Sequence, residues 1–396
     1  MRYAMLDALT QLPAQKFVQR SLPGRLVMGP GAMESLAAEL AELGITKPLV
    51  LVGRRTRESA LFTRVIQALE GMHWVDGADV PQHSSVALVE KLWAQARDQR
   101  VDGFITVGGG SAVDTAKAVA ILLAEGGKLA DHALRFTPPD VLHIPQLKAR
   151  KLPIVAVPVT ASGAEVTPSV GIRTPDGAKL LMHDPQVPAK LVILDQDATR
   201  EVPAAILCST AMNALAHCIE GLYSRERTPM AQTLALEAIA RLHVAIPAVS
   251  RDPTDIPARA QLMYGAHLAG QVLIHARSCL HHALCHVIGS VTGVAHGDAN
   301  SVMLPHCVEF NSASAGQALQ LAAAAAEIDG SAPELASYLR QLQQTAKVPQ
   351  RLRELGIDRA LLATIAHQAM HERGLYFNPR PITSEQEVLA LLEAAY

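Results

Sequence analysis

The sequence predicts an α/β amino-terminal half built on a parallel sheet, residues 1–198, followed by an all-helical half, residues 199–396. Three observations predict this. Short β-branched runs alternate with amphipathic segments through the first half, as successive βαβ units require. From about Thr199 the strand signals stop, and Ala/Leu/His-rich segments of helical period run to the end. The chain has 396 residues, 49% of them hydrophobic, which is enough to bury two cores.

Taken in order, strands are expected at Arg25–Met28, Pro48–Val52, Gly103–Val107, Ile154–Val157 and Leu191–Leu194. Between them the apolar positions recur at helical spacing over Met33–Leu43, Leu61–Leu69, Val86–Arg97 and Ala112–Leu123. Strand, helix and strand in this order give a parallel sheet with helices on its faces. The Pro-rich stretch from Phe136-Thr137-Pro138-Pro139 to Pro145 reads as an irregular excursion. From Val170 to Met182 two short extended runs flank Pro175-Asp176-Gly177, where proline presets φ and glycine tolerates positive φ, so a hairpin is expected. In the second half, helices are expected over Ala204–Tyr223, Met230–Ala245, Pro257–Gly270, Gln317–Ala326 and Pro333–Thr345.

Lys and Arg total 35 against 37 Asp and Glu, a formal charge of −2. No basic footprint points to nucleic acid or to an anionic membrane, so a small-molecule substrate is expected. Uninterrupted apolar runs of about 18 residues are missing, and Met1–Gln11 shows no basic stub followed by an apolar core, so a cytoplasmic protein is expected. The cysteines, Cys208, Cys218, Cys279, Cys285 and Cys307, lack CxxC spacing and fit a reducing compartment.

Chemistry is suggested in three places. Ile105-Thr106-Val107 runs into Gly108-Gly109-Gly110-Ser111 and then into a helix. Glycines let a backbone approach a diphosphate, and the free N–H groups and dipole of the helix favour the anion. A plain glycine turn capped by Ser111 would read the same way. Asp114 and Lys117, one turn into that helix, taken alone read as a solvated i,i+3 pair. Pro158-Val159-Thr160-Ala161-Ser162-Gly163-Ala164-Glu165 places small hydroxyl residues at the carboxyl end of a strand, where ligand crevices of parallel sheets form. In the helical half, Asn213 and His217 are four apart, as are His282 and His286, and His296 follows. Each pair shares a helix face, and imidazole nitrogens with an oxygen donor are zinc or ferrous ligands. With 16 histidines in the chain, such pairs also arise by chance.

Gly29-Pro30-Gly31, the Gly108–Lys117 segment, Thr160–Glu165, Asn213–Glu220 and His282–His296, in this order over Arg25–Asn311, resemble the iron-containing (group III) alcohol dehydrogenases. The resemblance implies a dinucleotide-binding α/β domain and a helical domain with the active site in the cleft between them. It assigns Gly53, Gly108, Gly109, Gly110, Ser111, Asp114, Lys117, Thr160 and Ser162 to an NADH or NADPH cofactor. It implies a homodimer. The family's metal set of one aspartate and three histidines falls on Asn213, His217, His282 and His296. Asparagine there removes the anionic ligand, which weakens the hold on a hard divalent ion, although three histidines still suit zinc.

Asn213 together with Leu280–Gly289 resembles the maleylacetate reductase branch, whereas Gly293–Asn300 and the long Phe136–Lys151 excursion resemble the ordinary alcohol dehydrogenases. The first reading implies hydride transfer to a conjugated double bond without a metal, with His286 as proton donor and His217, His282, His296 and Asn213 holding the enolate and carboxylates. Arg277 is one source of charge for a dicarboxylate, or a surface arginine at a helix turn. His281, about 100° round the helix from His282, reads as structural. Glu220 reads equally as an orienting group or a surface charge. After the second strand, Gly53-Arg54-Arg55 offers no acidic partner for the ribose 2′-hydroxyl, so NADPH is tolerated as well as NADH. Two alternatives remain: a dehydrogenase of alcohols or aldehydes that holds iron or zinc on the histidines, and a dehydroquinate-synthase-like lyase.

Overall fold

The computed structural model describes residue 22, residues 24–138 and residues 141–396. Met1–Gln11 and Pro139 lie outside the described residues. The chain divides into two compact units, one of residues 21–135 with 142–202, the other of residues 203–396 with 136–141.

The first unit holds β1 (Arg25–Gly29), α1 (Leu36–Glu42), β2 (Pro48–Gly53), α2 (Ala60–Ala68), β3 (Val75–Val80), α3 (Val86–Gln99), β4 (Gly103–Gly108) and α4 (Gly110–Glu125). After β5 (Arg135–Thr137) and β6 (Val141–His143), which pair with each other, come β7 (Ile154–Pro158), β8 (Ser169–Arg173), β9 (Lys179–His183) and β10 (Leu191–Asp195). The main sheet has six strands in the order β1-β10-β7-β4-β2-β3, every neighbouring pair parallel.

Strands β4, β7 and β10 are buried along their whole length, which is why they read as continuous apolar runs rather than as alternation. One face packs Val50, Val52, Ile105, Val107, Val155, Val157 and Ile193 under Leu36 and Leu40 of α1 and Phe62 and Val65 of α2. Each such side chain contributes about 1.5–3 kcal/mol on burial. The expected hairpin is present, with β8 antiparallel to β9.

Two expectations need correction. The sheet has an additional strand, β3, whose sequence Val-Asp-Gly-Ala-Asp-Val buries only its end valines. It is an edge strand paired on one side, so it needs no apolar run. The stretch after Phe136 is not wholly irregular, since β5 and β6 form a small sheet within it.

The second unit contains α5 (Ala204–Tyr223), α6 (Pro229–Arg251), α7 (Ile256–His275), α8 (Leu280–Thr292), α9 (His296–Asn311), α10 (Gly316–Ala325), α11 (Ala332–Ala346), α12 (Leu361–Ala369), α13 (Gly374–Phe377) and α14 (Glu385–Ala395). By length and mean hydropathy α5 and α6 match membrane spans, yet 83% of the α5 window is buried inside this unit and its polar residues face protein partners. One core is built from Leu280, Leu284, Val287 and Ile288 of α8 against Val302 and Met303 of α9, Leu362 and Ile365 of α12 and Leu392 of α14.

Candidate active site

In the α/β unit the expected cofactor residues meet at the carboxyl ends of three adjacent strands. Register pairs Val52 with Val107 and Gly108 with Pro158, so the loops after β2, β4 and β7 lie side by side. Gly108 has φ +152°, and a Cβ there would stand 3.1 Å from the backbone nitrogen of Gly53. Added Cβ atoms would come within 3.1 Å of Thr160 Oγ1 at Gly109 and 3.2 Å of Ser162 Oγ at Gly110. At Gly108, where φ is positive and the neighbour is backbone, the approach requires glycine. Helix α4 starts at Gly110 with Gly109 as its cap, and no side chain caps it. Ala112 N–H donates to the carbonyl of Gly109 at 3.0 Å, and the N–H groups of Gly110 and Ser111 before it come too early in the helix for an intrahelical acceptor, which makes a cradle that fits a dinucleotide diphosphate.

The other expected cofactor residues have different duties. Ser111 is not the cap: its Oγ accepts from the backbone N–H of His83 at 3.2 Å. Lys117 is not half of a solvated pair, and it is not placed to touch a cofactor, being fully buried. Its ammonium donates to the carbonyls of Ala164 (2.5 Å), Thr167 (2.8 Å) and Ser169 (3.1 Å), fixing the chain just after the Thr160–Ser162 loop. Asp114 accepts from Gly171 N at 3.2 Å and lies 3.7 Å from Lys117 Nζ. It therefore steadies strand β8. Arg54 and Arg55, just beyond Gly53, are exposed.

In the helical unit α5 is buried on all sides, so its polar residues must find partners within the protein. Asn213, His217 and Glu220 follow the i, i+4, i+7 rule and form one stripe. Glu220 accepts from the backbone N–H of Cys279 (2.9 Å) and of His281 (2.8 Å), and so caps the amino end of α8. Its Oε2 also meets His282 Nδ1 at 2.6 Å. Burial pushes this carboxyl up, while His281 and the backbone donors pull it down. The backbone donors favour its ionised form, in which both oxygens accept and the His282 proton sits on Nδ1. Glu220 is the orienting group of the two readings left open.

His282 Nε2 then faces the Asn213 amide, with Oδ1 at 3.3 Å. An amide serves either state of this imidazole, donating to a neutral ring and accepting from a charged one. The His217 ring stacks on His282 with centroids 4.6 Å apart, and burial, followed by His282, holds His217 well below the ordinary imidazole range.

Gly293, with φ +75°, ends α8 and turns the chain into α9, whose first residue is His296. A Cβ at Gly297 would lie 2.5 Å from Ser209 Oγ, and that hydroxyl donates to Asp298 Oδ1 at 2.6 Å, pinning the start of α9 to α5. His296 therefore reaches the cluster, 6.1 Å from His282 and stacked on His286 at 5.6 Å between centroids. His286 is half-buried, with Nδ1 3.6 Å from Oε2 of Glu372. His281 is structural as expected: Nε2 lies 3.0 Å from the carbonyl of Asn300, and burial pulls it down to about 4. Cys285 is fully buried with its thiol pushed well up, which makes it packing rather than a nucleophile.

As a metal site the donor set is a weak one for a hard divalent ion such as ferrous iron, although its three imidazoles are of the kind that hold zinc. It supplies one amide and three imidazoles and no anion, and the nearest carboxylate, Glu220, is spent on the far nitrogen of His282. Among the described residues, the set of three or more His, Cys, Asp or Glu ligand atoms within 4.8 Å of one another is Glu220, His281 and His282. His217 and His296 are outside it.

Sequence reasoning passed over Glu372, to which nothing in the spacing points. Glu220, by contrast, continues the Asn213 stripe and was open to discovery by period alone.

Residues 23–196 match the iron-containing alcohol dehydrogenase model, and residues 207–396 match the C-terminal domain of the same family. The chain belongs to the iron-containing alcohol dehydrogenase family. It is an oxidoreductase by that membership. It is 33% identical over 381 residues to a maleylacetate reductase of Sphingobium indicum, covering 96% of this chain and 97% of the relative. The crystal structure of maleylacetate reductase from Agrobacterium tumefaciens aligns with TM-score 0.81 and 29% identity, covering 96% of this chain and 98% of that one. An iron-containing alcohol dehydrogenase from Corynebacterium glutamicum aligns with TM-score 0.82 and 29% identity over 97% of both chains.

Proposed function

We propose that this oxidoreductase is a maleylacetate reductase, reducing the conjugated double bond of maleylacetate to give 3-oxoadipate in aromatic catabolism. The observation that carries the reading is Asn213 facing His282 while Glu220 holds the other nitrogen of the same ring. It is supported by similarity to maleylacetate reductases along nearly the whole chain.

NADH or NADPH, held on the glycine cradle, would supply a hydride for C2 of the substrate. The residues of the chain have three tasks. The backbone cradle at Gly53, Gly108, Gly109 and Gly110, with Thr160 and Ser162 beside it, binds the cofactor's diphosphate. N–H groups of His217, His296 and the Asn213 amide stabilise the enolate oxygen that develops at C4, and His282, held at Nδ1 by Glu220, joins them as a donor from Nε2 in its charged form. His286, half-buried and beside Glu372, delivers the proton to C3, which completes the balance of one hydride and one proton added across the double bond. No step needs a metal. The reading places the enzyme in the cytoplasm as a homodimer acting on a small molecule.

The test is oxidation of NADH and of NADPH with maleylacetate beside a panel of simple aldehydes. Turnover of maleylacetate in preference to every aldehyde is expected. Turnover of aldehydes alone would make the chain an alcohol dehydrogenase and overturn the reading.

A further inference from the structure

We infer that Glu372 is a positioning residue for proton delivery, the group that selects which edge of the His286 ring is turned toward the reacting carbon. The inference rests on the reductase reading for the role of His286, and adds to it the residue that acts through that ring.

The plane of the His286 ring is set by its aromatic neighbours. It lies within 19° of the His296 ring at 5.6 Å between centroids, and the His282 ring stands edge-on to it at 6.2 Å and 72°. Stacking fixes a plane but leaves two positions within it, because the terminal torsion of a histidine is roughly two-fold. A half-turn keeps the stack and exchanges Nδ1 with Cδ2 and Nε2 with Cε1, so that a C–H bond takes the place of the N–H. Glu372 breaks this symmetry. Its Oε2 lies 3.6 Å from Nδ1, and a carboxylate draws the nitrogen edge toward itself more strongly than the carbon edge. Catalytic contacts of this length tighten in the substrate complex.

The carboxylate is itself held. The backbone N–H of Glu372 donates to the carbonyl of Ala369 at 2.9 Å, and its carbonyl accepts from Leu375 N–H at 3.2 Å. Ala369 and Leu375 are buried in the same core as Leu280 and Leu284 of α8. Two residues on, a Cβ at Gly374 would lie 2.6 Å from the carbonyl oxygen of Cys279 and 3.2 Å from Cβ of Ala283, so this turn is pressed onto the start of the helix that carries His286. The side chains of His286 and Glu372 are 25% and 26% exposed, which puts the pair where a spent proton can be replaced from water. Delivery breaks the Nε2–H bond and forms the C3–H bond, while the proton on Nδ1 stays against the carboxylate.

The experiment compares the wild-type enzyme with Glu372→Leu and Glu372→Gln, reading kcat and KM for maleylacetate, KM for NADH and the solvent deuterium isotope effect on kcat. Leucine keeps the bulk and offers Nδ1 no partner, whereas the glutamine amide puts a polar atom in the same place without the charge. Melting temperatures confirm that each variant is folded, and Glu372→Ala, which only removes atoms from a part-exposed side chain, stands in should leucine not be accommodated. The leucine variant is expected to lose about 10-fold or more in kcat, with a larger isotope effect and both KM values little changed, and the glutamine variant to recover most of that loss. Three results would overturn the inference: a leucine variant as fast as the wild type, a loss that falls on KM, or a glutamine variant as slow as the leucine one, which would assign the role to charge rather than to orientation. If the wild type reduces an aldehyde and not maleylacetate, the reductase reading falls. The same ranking of variants on that aldehyde, whose carbonyl oxygen also needs a proton, then decides for or against Glu372.

Discussion

The glycine cradle of the α/β unit and the imidazole cluster of the helical unit solve opposite problems. The cradle works by taking side chains away, so that backbone N–H groups approach a ligand, and its support comes from neighbours a few residues off in sequence or one strand over. The cluster works by adding polar side chains to a buried place, and each one has to be satisfied by a partner far along the chain, as His282 is by Glu220. The lesson is that a backbone site fails when something is inserted, whereas a side-chain site fails when one partner is removed.

The sharpest break in this contrast is Lys117, a buried side chain that the backbone site depends on. Lys117→Met leaves the carbonyls of Ala164, Thr167 and Ser169 without their donor. It is expected to cost about 3 kcal/mol, read by denaturant unfolding, and to loosen the Thr160–Ser162 loop. Unchanged stability would mean that the loop holds itself.

Next comes insertion. Gly108→Ala drives a Cβ at the Gly53 backbone from a residue at φ +152°, and cofactor affinity by fluorescence titration is expected to fall about 100-fold. Gly109→Ala meets the Thr160 side chain, which can turn away, so its loss should be smaller. Equal effects would contradict the claim that backbone crowding sets the size.

Removal of a partner is tested with Glu220→Gln. Glutamine cannot accept from both backbone N–H groups and His282 at once, so reductase activity is expected to fall about 10–100-fold with the NADH KM preserved. A variant as active as the wild type would show that His282 needs no orientation.

The last effect is on pH and lies away from both sites. Burial, with Arg340 next, pulls His306 from 6.5 to about 4, so the unfolded chain binds more protons than the native one between those values. This group's contribution is fully present above pH 6.5 and is lost as pH falls toward 4, by no more than about 3 kcal/mol. His306→Gln should flatten the fall in stability over that range. An unaltered slope would assign the acid sensitivity to other groups.

The same contrast explains what the sequence made legible. Strands β4, β7 and β10, the β8–β9 hairpin and the span of α5 were readable because buried runs, Pro-Asp-Gly and helical period are local signals. Strand β3 was not, since an edge strand with two aspartates and a glycine has no apolar pattern to detect. In the candidate site, Asn213, His217, His282, His286 and His296 were legible from spacing and order. The buried, structural state of Lys117 was hidden, because its acceptors are carbonyls that carry no side-chain signature. Glu372 was hidden for a different reason: tertiary packing at Gly374 brings it to α8, and no period in its own segment announces it.

The most direct test of the central claim, that the Asn213–His282–Glu220 arrangement does its work without a resident metal, is the rate of maleylacetate reduction before and after exhaustive chelation, with metal content measured on the same samples. An unchanged rate at negligible metal content is the result predicted. A rate lost on chelation and restored by zinc or ferrous ion would contradict it.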